Sequence, residues 1–361
     1  MLRSKLFSSL CMALFLTTPL IFVGCGDNLT PQGSQIEQET GSDIPEDSDG
    51  DNTGSDREEP TTPTVTLGSP ESDPNFGTLP NGTKLTSIKV SGVALKLITG
   101  TGNTLTSAKY QEYQKLRSAS ETQANHLVQW TFANLETGQI LARSASAHKK
   151  YFGASSSKIF VGAAQLDKHK GSITAKQLQQ MADMIVVSSN TAWTNMQKDI
   201  GDGDANKGRE RIHQFTQRMG YTLTRGFQGY WGSVHGNELV PDETAEMLFD
   251  TYHNQYPGAE TLWKMMYTCR TGANRGLKYI PKNIYVGGKT GTYSGPTENP
   301  ETGRSHNVNM KNHVLTFNIH GTQYGLVIFA NNGSDESVAL LAGGLVQDTL
   351  LSSKTMASHM W

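Results

Sequence analysis

Behind Arg3 and Lys5 the chain opens on an uncharged, largely apolar run from Leu6 to Val23, and then the apolar pattern stops. From Gly26 to about Leu79 the residues are mostly Ser, Thr, Gly, Pro, Asp and Glu, too polar to close a core, so this stretch is expected to be an unpacked spacer. Periodicity resumes near Pro80, without internal repeats. Leu105–Ser118 reads as a helix, His126–Asn134 and Gln139–Ala145 as strands joined by the turn Glu136-Thr137-Gly138. Ile159, Phe160, Val161, Ala163, Ala164 and Leu166 form a run dense enough for a buried helix. Thr174 is placed to cap a second helix from Ala175 to about Asp199, and Ala205–Met219 reads as a third. Ile284–Gly288, His313–His320 and Gln323–Asn331 read as strands; Leu315, Phe317 and Ile319 share one face, and Gly321-Thr322 supplies a turn between the last two. Ser334, followed by Asp335 and Glu336, opens a terminal helix to about Leu350. Strands at both ends with helices between define one α+β unit, its sheet completed by distant parts of the chain.

Hydrophobic residues make up 36% of the 361 residues, low for a chain packed throughout. The basic-then-apolar start accounts for part of this as an export signal. Its end, Gly24-Cys25, resembles the lipobox of bacterial lipoproteins, in which the Cys becomes the acylated N-terminus; Phe22 departs from the usual Leu. An ordinary cleaved signal and an uncleaved anchor are the alternatives. In each case the rest lies outside the cytoplasm, on the periplasmic or cell-surface side, with Cys25 as the lipid attachment to the membrane in the preferred reading. The chain thus divides into a signal over 1–24, a tether over 25–79 and a folded domain over 80–361. Besides Cys11 and Cys25 there is only Cys269, so no disulfide pair is evident, and Cys269 reads as a small buried hydrophobe.

The net charge of −2 hides an asymmetry: residues 26–75 hold 13 Asp/Glu and one Arg, for −12, and the signal contributes +2, leaving +8 for residues 76–361. No basic run interleaved with aromatics indicates nucleic acid. Asp47, Asp49, Asp51 and Glu58 mimic an EF-hand loop, but its required glycine is Asn52 and no helix flanks it, so no metal is assigned.

Ser155-Ser156-Ser157-Lys158 puts an amine one helical turn from a hydroxyl on the same face. Ser146-Ala147-His148-Lys149 has the same spacing. Ser155, however, begins an apolar helix, whose N-terminal N–H groups favour a developing oxyanion, whereas Ser146 follows a strand in a polar stretch. A buried lysine beside other cations can be neutral enough to take a serine proton. Ser188-Ser189-Asn190 falls within the helical stretch Met184–Trp193, and Lys289-Thr290-Gly291-Thr292 directly follows a strand. S-x-x-K, S-x-N and K-T-G in this order and on these elements are the set expected of acyl-serine chemistry.

On these motifs the chain, from about Leu105 to Leu350, resembles the penicillin-recognising serine hydrolases, closest to the class A β-lactamase branch. The resemblance implies a β-lactamase/transpeptidase-like fold: an antiparallel sheet flanked by helices, plus an all-helical subdomain, with the site between them. It implies Ser155 as nucleophile, Lys158 as its base and Ser188 as the proton relay to the leaving nitrogen. Asn190 is expected to hold the substrate's side-chain amide, Lys289 to supply positive potential, and Thr290 and Thr292, flanking Gly291, to bind its carboxylate. The N–H groups of Ser155 and Thr292 would form the oxyanion hole, and no cofactor is needed. Arg275, in Thr271-Gly272-Ala273-Asn274-Arg275, matches the segment where some members carry a carboxylate-binding arginine; an exposed loop arginine is the alternative. Two departures stand out. Ser189 replaces the usual Asp of the second motif, and no E-x-x-L-N for the deacylating water occurs between Tyr221 and Pro241, where Glu238, with His235 and Asn237 nearby, is the sole acid. Tyr230 and Trp231 in that stretch read as loop packing. The expected function is a penicillin-binding peptidase of the D-Ala-D-Ala type acting on cell-wall peptides, with weak β-lactamase turnover. The alternatives are a β-lactamase using Glu238 or His235 on β-lactam substrates, and an inactive wall-binding module.

Overall fold

The computed structural model describes residues 66–227, 236–298 and 305–358; the signal, Cys25, the acidic stretch with its EF-hand mimic, Tyr230, Trp231 and His235 lie outside them. In chain order come the short pair β1 (Lys89–Val90) and β2 (Val93–Ala94), α1 (Ser107–Thr122), β3 (Val128–Asn134), β4 (Ile140–Arg143) and β5 (Tyr151–Phe152). A tight 3₁₀ turn, Ala154–Ser157, leads into α2 (Lys158–Lys168), then α3 (Ala175–Val186), α4 (Asn190–Ile200), α5 (Ala205–Arg218), β6 (Glu238–Leu239), α6 (Pro241–Tyr252) and α7 (Ala259–Met266). β7 (Val286–Glu298), β8 (Ser305–Ile319), β9 (Thr322–Ala330) and α8 (Asp335–Ser358) complete the chain.

The principal sheet is antiparallel in the order β4-β3-β9-β8-β7, so the early hairpin is inserted beside the last strands. Both faces are covered. Leu315, Phe317, Leu326 and Ile328 face Tyr113 of α1 and Val338, Leu341 and Leu345 of α8. The intervening Val314, Val327 and Phe329 belong to the larger core with Ile159 of α2, Leu248 of α6 and Trp263 of α7. This is the period-2 alternation of the sequence with a core on each side, each fully buried Val, Leu or Phe side chain contributing roughly 1.5–3 kcal/mol. All of α2 from Lys158 to Leu166 is buried, as its composition predicts for a helix hydrophobic all round. The α+β architecture with helices α2–α7 set against the sheet is the one expected.

Four boundaries differ. The packed chain begins before Pro80: Leu67, Phe76 and Leu79 are core residues, Leu67 N–H donates to Tyr252 O at 2.8 Å and Trp263 Nε1 to Gly68 O at 2.9 Å. These apolar residues are too scattered to show a period; distant helices, not local pattern, hold them. The expected helix from Ala175 to Asp199 is two helices. Thr174 caps the first through a capping box with Gln177, but the chain breaks at Ser188, with φ 62°, and Ser189 Oγ caps the second by accepting from Ala192 N–H at 3.2 Å. Ser and Asn compete for backbone groups and so favour such a junction over a helix interior. β7 and β8 extend well beyond the short apolar segments that predict them, because their outer halves pair with each other, Glu298 opposite Ser305. α8 also runs past Leu350. Among the described residues no helix is long and apolar enough to cross a membrane.

Candidate active site

Four elements converge. The 3₁₀ turn supplies Ser155, the start of α2 Lys158, the α3–α4 junction Ser188 and Asn190, and β7 Lys289 to Thr292. Lys158 Nζ lies 3.2 Å from Ser155 Oγ and 3.2 Å from Ser188 Oγ; it also donates to Ser188 O at 2.6 Å and Asn190 Oδ1 at 2.8 Å. The helix break is what frees the Ser188 carbonyl for this contact. Lys289 Nζ donates to Ser188 Oγ at 2.9 Å and to Thr290 O at 2.8 Å.

Burial sorts the residues by role. Ser155 and Ser188 are half-buried and Asn190 and Thr292 exposed, so these four can be touched from outside. Lys158 and Lys289 are both 0% exposed, two buried amines whose partners among the described residues are hydroxyl and carbonyl oxygens rather than carboxylates. Burial, and then the positive charge of Lys289, hold the Lys158 amine well below the usual lysine range. Burial lowers Lys289 to about 8, with Cys269 opposing the shift and Arg275 adding to it. The shift at Lys158 favours its neutral form, and Lys289, at about 8, keeps most of its charge at neutral pH. A neutral amine has two N–H donors and one lone pair. The two short contacts go to carbonyl oxygens, which only accept, so the lone pair is left for the hydroxyls of Ser155 and Ser188.

Gly291 brings β7 against the nucleophile turn: a Cβ there would stand 2.8 Å from both Gly153 O and Ser156 Oγ. Thr290 Oγ1 lies 2.5 Å from Thr271 Oγ1. Arg275 is not an exposed loop residue. It is 8% exposed, ion-paired to Asp335 at 2.6 Å, and donates to Gly291 O at 3.1 Å, Asn312 O at 2.9 Å and Thr292 Oγ1 at 3.0 Å. Cys269 is buried and unpaired, 3.2 Å from Thr271 Oγ1. Ser146, the competing match, donates its hydroxyl to Ala124 O at 2.5 Å, and Lys149 is exposed.

Glu238 is 0% exposed. It sits in β6 opposite Phe152, and its carboxylate pairs with Arg225 at 2.8 Å and Lys150 at 3.2 Å. Backbone bonds in both directions between Arg225 and Glu238 close the neck of the intervening loop. Sequence reasoning missed Asn237 and Asn312, which hold the carbonyls just before Ser155: Asn237 Nδ2 donates to Ala154 O at 2.8 Å, Asn312 Nδ2 to Phe152 O at 2.9 Å and Gly153 O at 3.1 Å. It missed Trp193 too, whose ring lies 5.6 Å from Lys158 Nζ.

No family profile matches the chain. Solved structures do. A class A β-lactamase from Bacteroides cellulosilyticus superposes with a TM-score of 0.52 at 17% identity, over 70% of this chain and 100% of that one. A β-lactamase from Chitinophaga pinensis gives 0.52 at 16% identity, over 68% and 99%. Among curated proteins, β-lactamase VEB-1 of Pseudomonas aeruginosa is 34% identical over 67 residues, 17% of this chain; the match spans 22% of that enzyme's length. The chain has the class A β-lactamase fold, as its three motifs imply.

Proposed function

We propose that the protein is an acyl-serine amide hydrolase of the penicillin-recognising type, acylated at Ser155. The observation that carries this reading is the position of Lys158 Nζ, 3.2 Å from the hydroxyls of both Ser155 and Ser188. As Ser155 Oγ attacks the amide carbonyl, the neutral Lys158 amine takes its proton. Ser188, within reach of Lys158 and polarised by Lys289, passes a proton to the leaving nitrogen, and the C–N bond breaks to leave an ester on Ser155. Asn190 and Thr292, both exposed at the site, are the polar groups offered to the substrate's amide and carboxylate ends, with Arg275 and Thr290 behind them.

Within this class we favour a penicillin-binding peptidase acting on D-Ala-D-Ala-type cell-wall peptides, slow to release a penicilloyl group. The support is the missing E-x-x-L-N and the state of Glu238, buried and engaged by two cations where a base for water would have to meet water. The β-lactamase reading has the fold likeness and the VEB-1 match in its favour. Intact mass after mixing with benzylpenicillin separates the two: an adduct that persists for minutes or longer supports the peptidase, and rapid turnover without an accumulating adduct supports the β-lactamase. Export and a lipid anchor at Cys25 are part of the same proposal, supported by Arg3, Lys5, the apolar run and Gly24-Cys25. A Cys25→Ser protein should be released or mislocalised; a full-length, unacylated chain retained in the membrane would argue for a signal anchor.

A further inference from the structure

Ala154, the residue before the nucleophile, has a left-handed backbone with φ 46°, an uncommon state for a residue with a side chain. Its carbonyl is buried and held twice, by Asn237 Nδ2 at 2.8 Å and by Ser157 Oγ at 2.9 Å. In a trans peptide the C=O and the following N–H point in opposite directions. Fixing Ala154 O toward the interior therefore aims Ser155 N–H the other way, toward the cleft. The peptide between Gly291 and Thr292 is treated alike: Arg275 Nη1 holds Gly291 O at 3.1 Å, which turns Thr292 N–H outward. These are the two N–H groups on which an oxyanion would rest.

We infer that Asn237 is a positioning residue for this reaction: by gripping the Ala154 carbonyl it aims the Ser155 N–H at the substrate oxyanion. A second observation supports this reading. Asn237 is 2% exposed, its Oδ1 has no hydrogen-bond partner among the described residues, and its own main-chain carbonyl accepts from Gly153 N–H at 2.9 Å. A buried amide that leaves its acceptor unmet is unfavourable to keep for packing alone; what it supplies here is the donor. The flipped amide would set Oδ1 against Ala154 O, two acceptors face to face, so the network fixes its orientation. Asn312 does the same one step back, holding Phe152 O and Gly153 O while its main-chain carbonyl accepts from Arg275. The two donor peptides thus share one buried framework.

The inference rests on the proposed acylation at Ser155, and its test keeps the two apart. Asn237→Leu, similar in volume but without the donor, should lower the rate constant for acylation by benzylpenicillin about tenfold or more with the preceding non-covalent affinity unchanged, since removal of an oxyanion donor outright costs about 10²–10³. In the acyl-enzyme formed with carbonyl-labelled penicillin, the infrared ester band should move to higher frequency, because a misaimed N–H polarises the carbonyl less. A band and a rate constant equal to those of the parent protein would overturn the inference, as would a loss confined to affinity. Should the Leu variant not fold, Asn237→Asp keeps the size and replaces the donor by an acceptor, with the same two readouts. Should the parent protein form no penicilloyl adduct, the functional reading fails, and a fluorophosphonate, which needs only an activated serine and an oxyanion site, takes the place of penicillin. Equal labelling rates at Ser155 in parent and variant would then sink the positioning role.

Discussion

Lys289 Nζ donates to Ser188 Oγ at 2.9 Å, joining β7 to the junction of α3 and α4 across 101 residues of sequence. Catalysis by this arrangement needs Lys158 neutral and Lys289 charged. Acylation should therefore rise with pH through the depressed Lys158 ionisation and fall again as pH passes about 8, where Lys289 loses its proton. Lys289→Arg, whose charge does not titrate in this range, should remove the alkaline fall even if the plateau is lower. A fall still centred near 8 in that variant would assign it to another group.

Lys158→Met keeps the buried stem and deletes the base. General-base help is typically worth roughly 10²–10⁴, so the acylation rate constant should drop by about that factor while the fold, relieved of a buried amine, loses no stability. Stopped-flow acylation and thermal unfolding of the same samples check both halves.

Gly291→Ala places a methyl group 2.8 Å from Gly153 O and Ser156 Oγ. A backbone carbonyl cannot yield as a side chain does, so β7 must move off the nucleophile turn. We expect a loss of roughly 1–3 kcal/mol in urea unfolding and an acylation rate reduced about a hundredfold, the scale of a misplacement on the order of 1 Å.

Phe76→Ala tests where the packed chain begins. Phe76 is 2% exposed, edge-on to Tyr267 with ring centroids 5.0 Å apart and under Lys264 at 5.7 Å. Truncation should cost about 3–5 kcal/mol, read by denaturant titration; a change within about 0.5 kcal/mol would mean that this strap contributes nothing.

What the sequence revealed and what it concealed follows from the range of each interaction. Ser155 and Lys158 are one turn apart, so their pairing is written in local spacing, and the Thr174 cap and the alternation of Leu315, Phe317 and Ile319 are local as well. The break at Ser188 was hidden because apolar residues at helical spacing continue on both sides of it. For Arg275, the candidate carboxylate-binding arginine, the sequence leaves an exposed loop position open as the alternative, since the carbonyls that bury it, Gly291 and Asn312, lie 16 and 37 residues away. Asn237 and Asn312 reach partners 83 and 160 residues distant and carry no periodic signal at all. Phe76 stands alone among polar neighbours, and only the docked helices reveal its place.

The central claim is that Ser155 is the residue acylated, and a fluorescent penicillin tests it most directly. Ser155→Ala should abolish covalent labelling, and Ser146→Ala, which removes the equally spaced but buried hydroxyl bonded to Ala124 O, should leave it unchanged. Labelling that survives Ser155→Ala, in a protein whose unfolding midpoint matches that of the parent, would contradict the account.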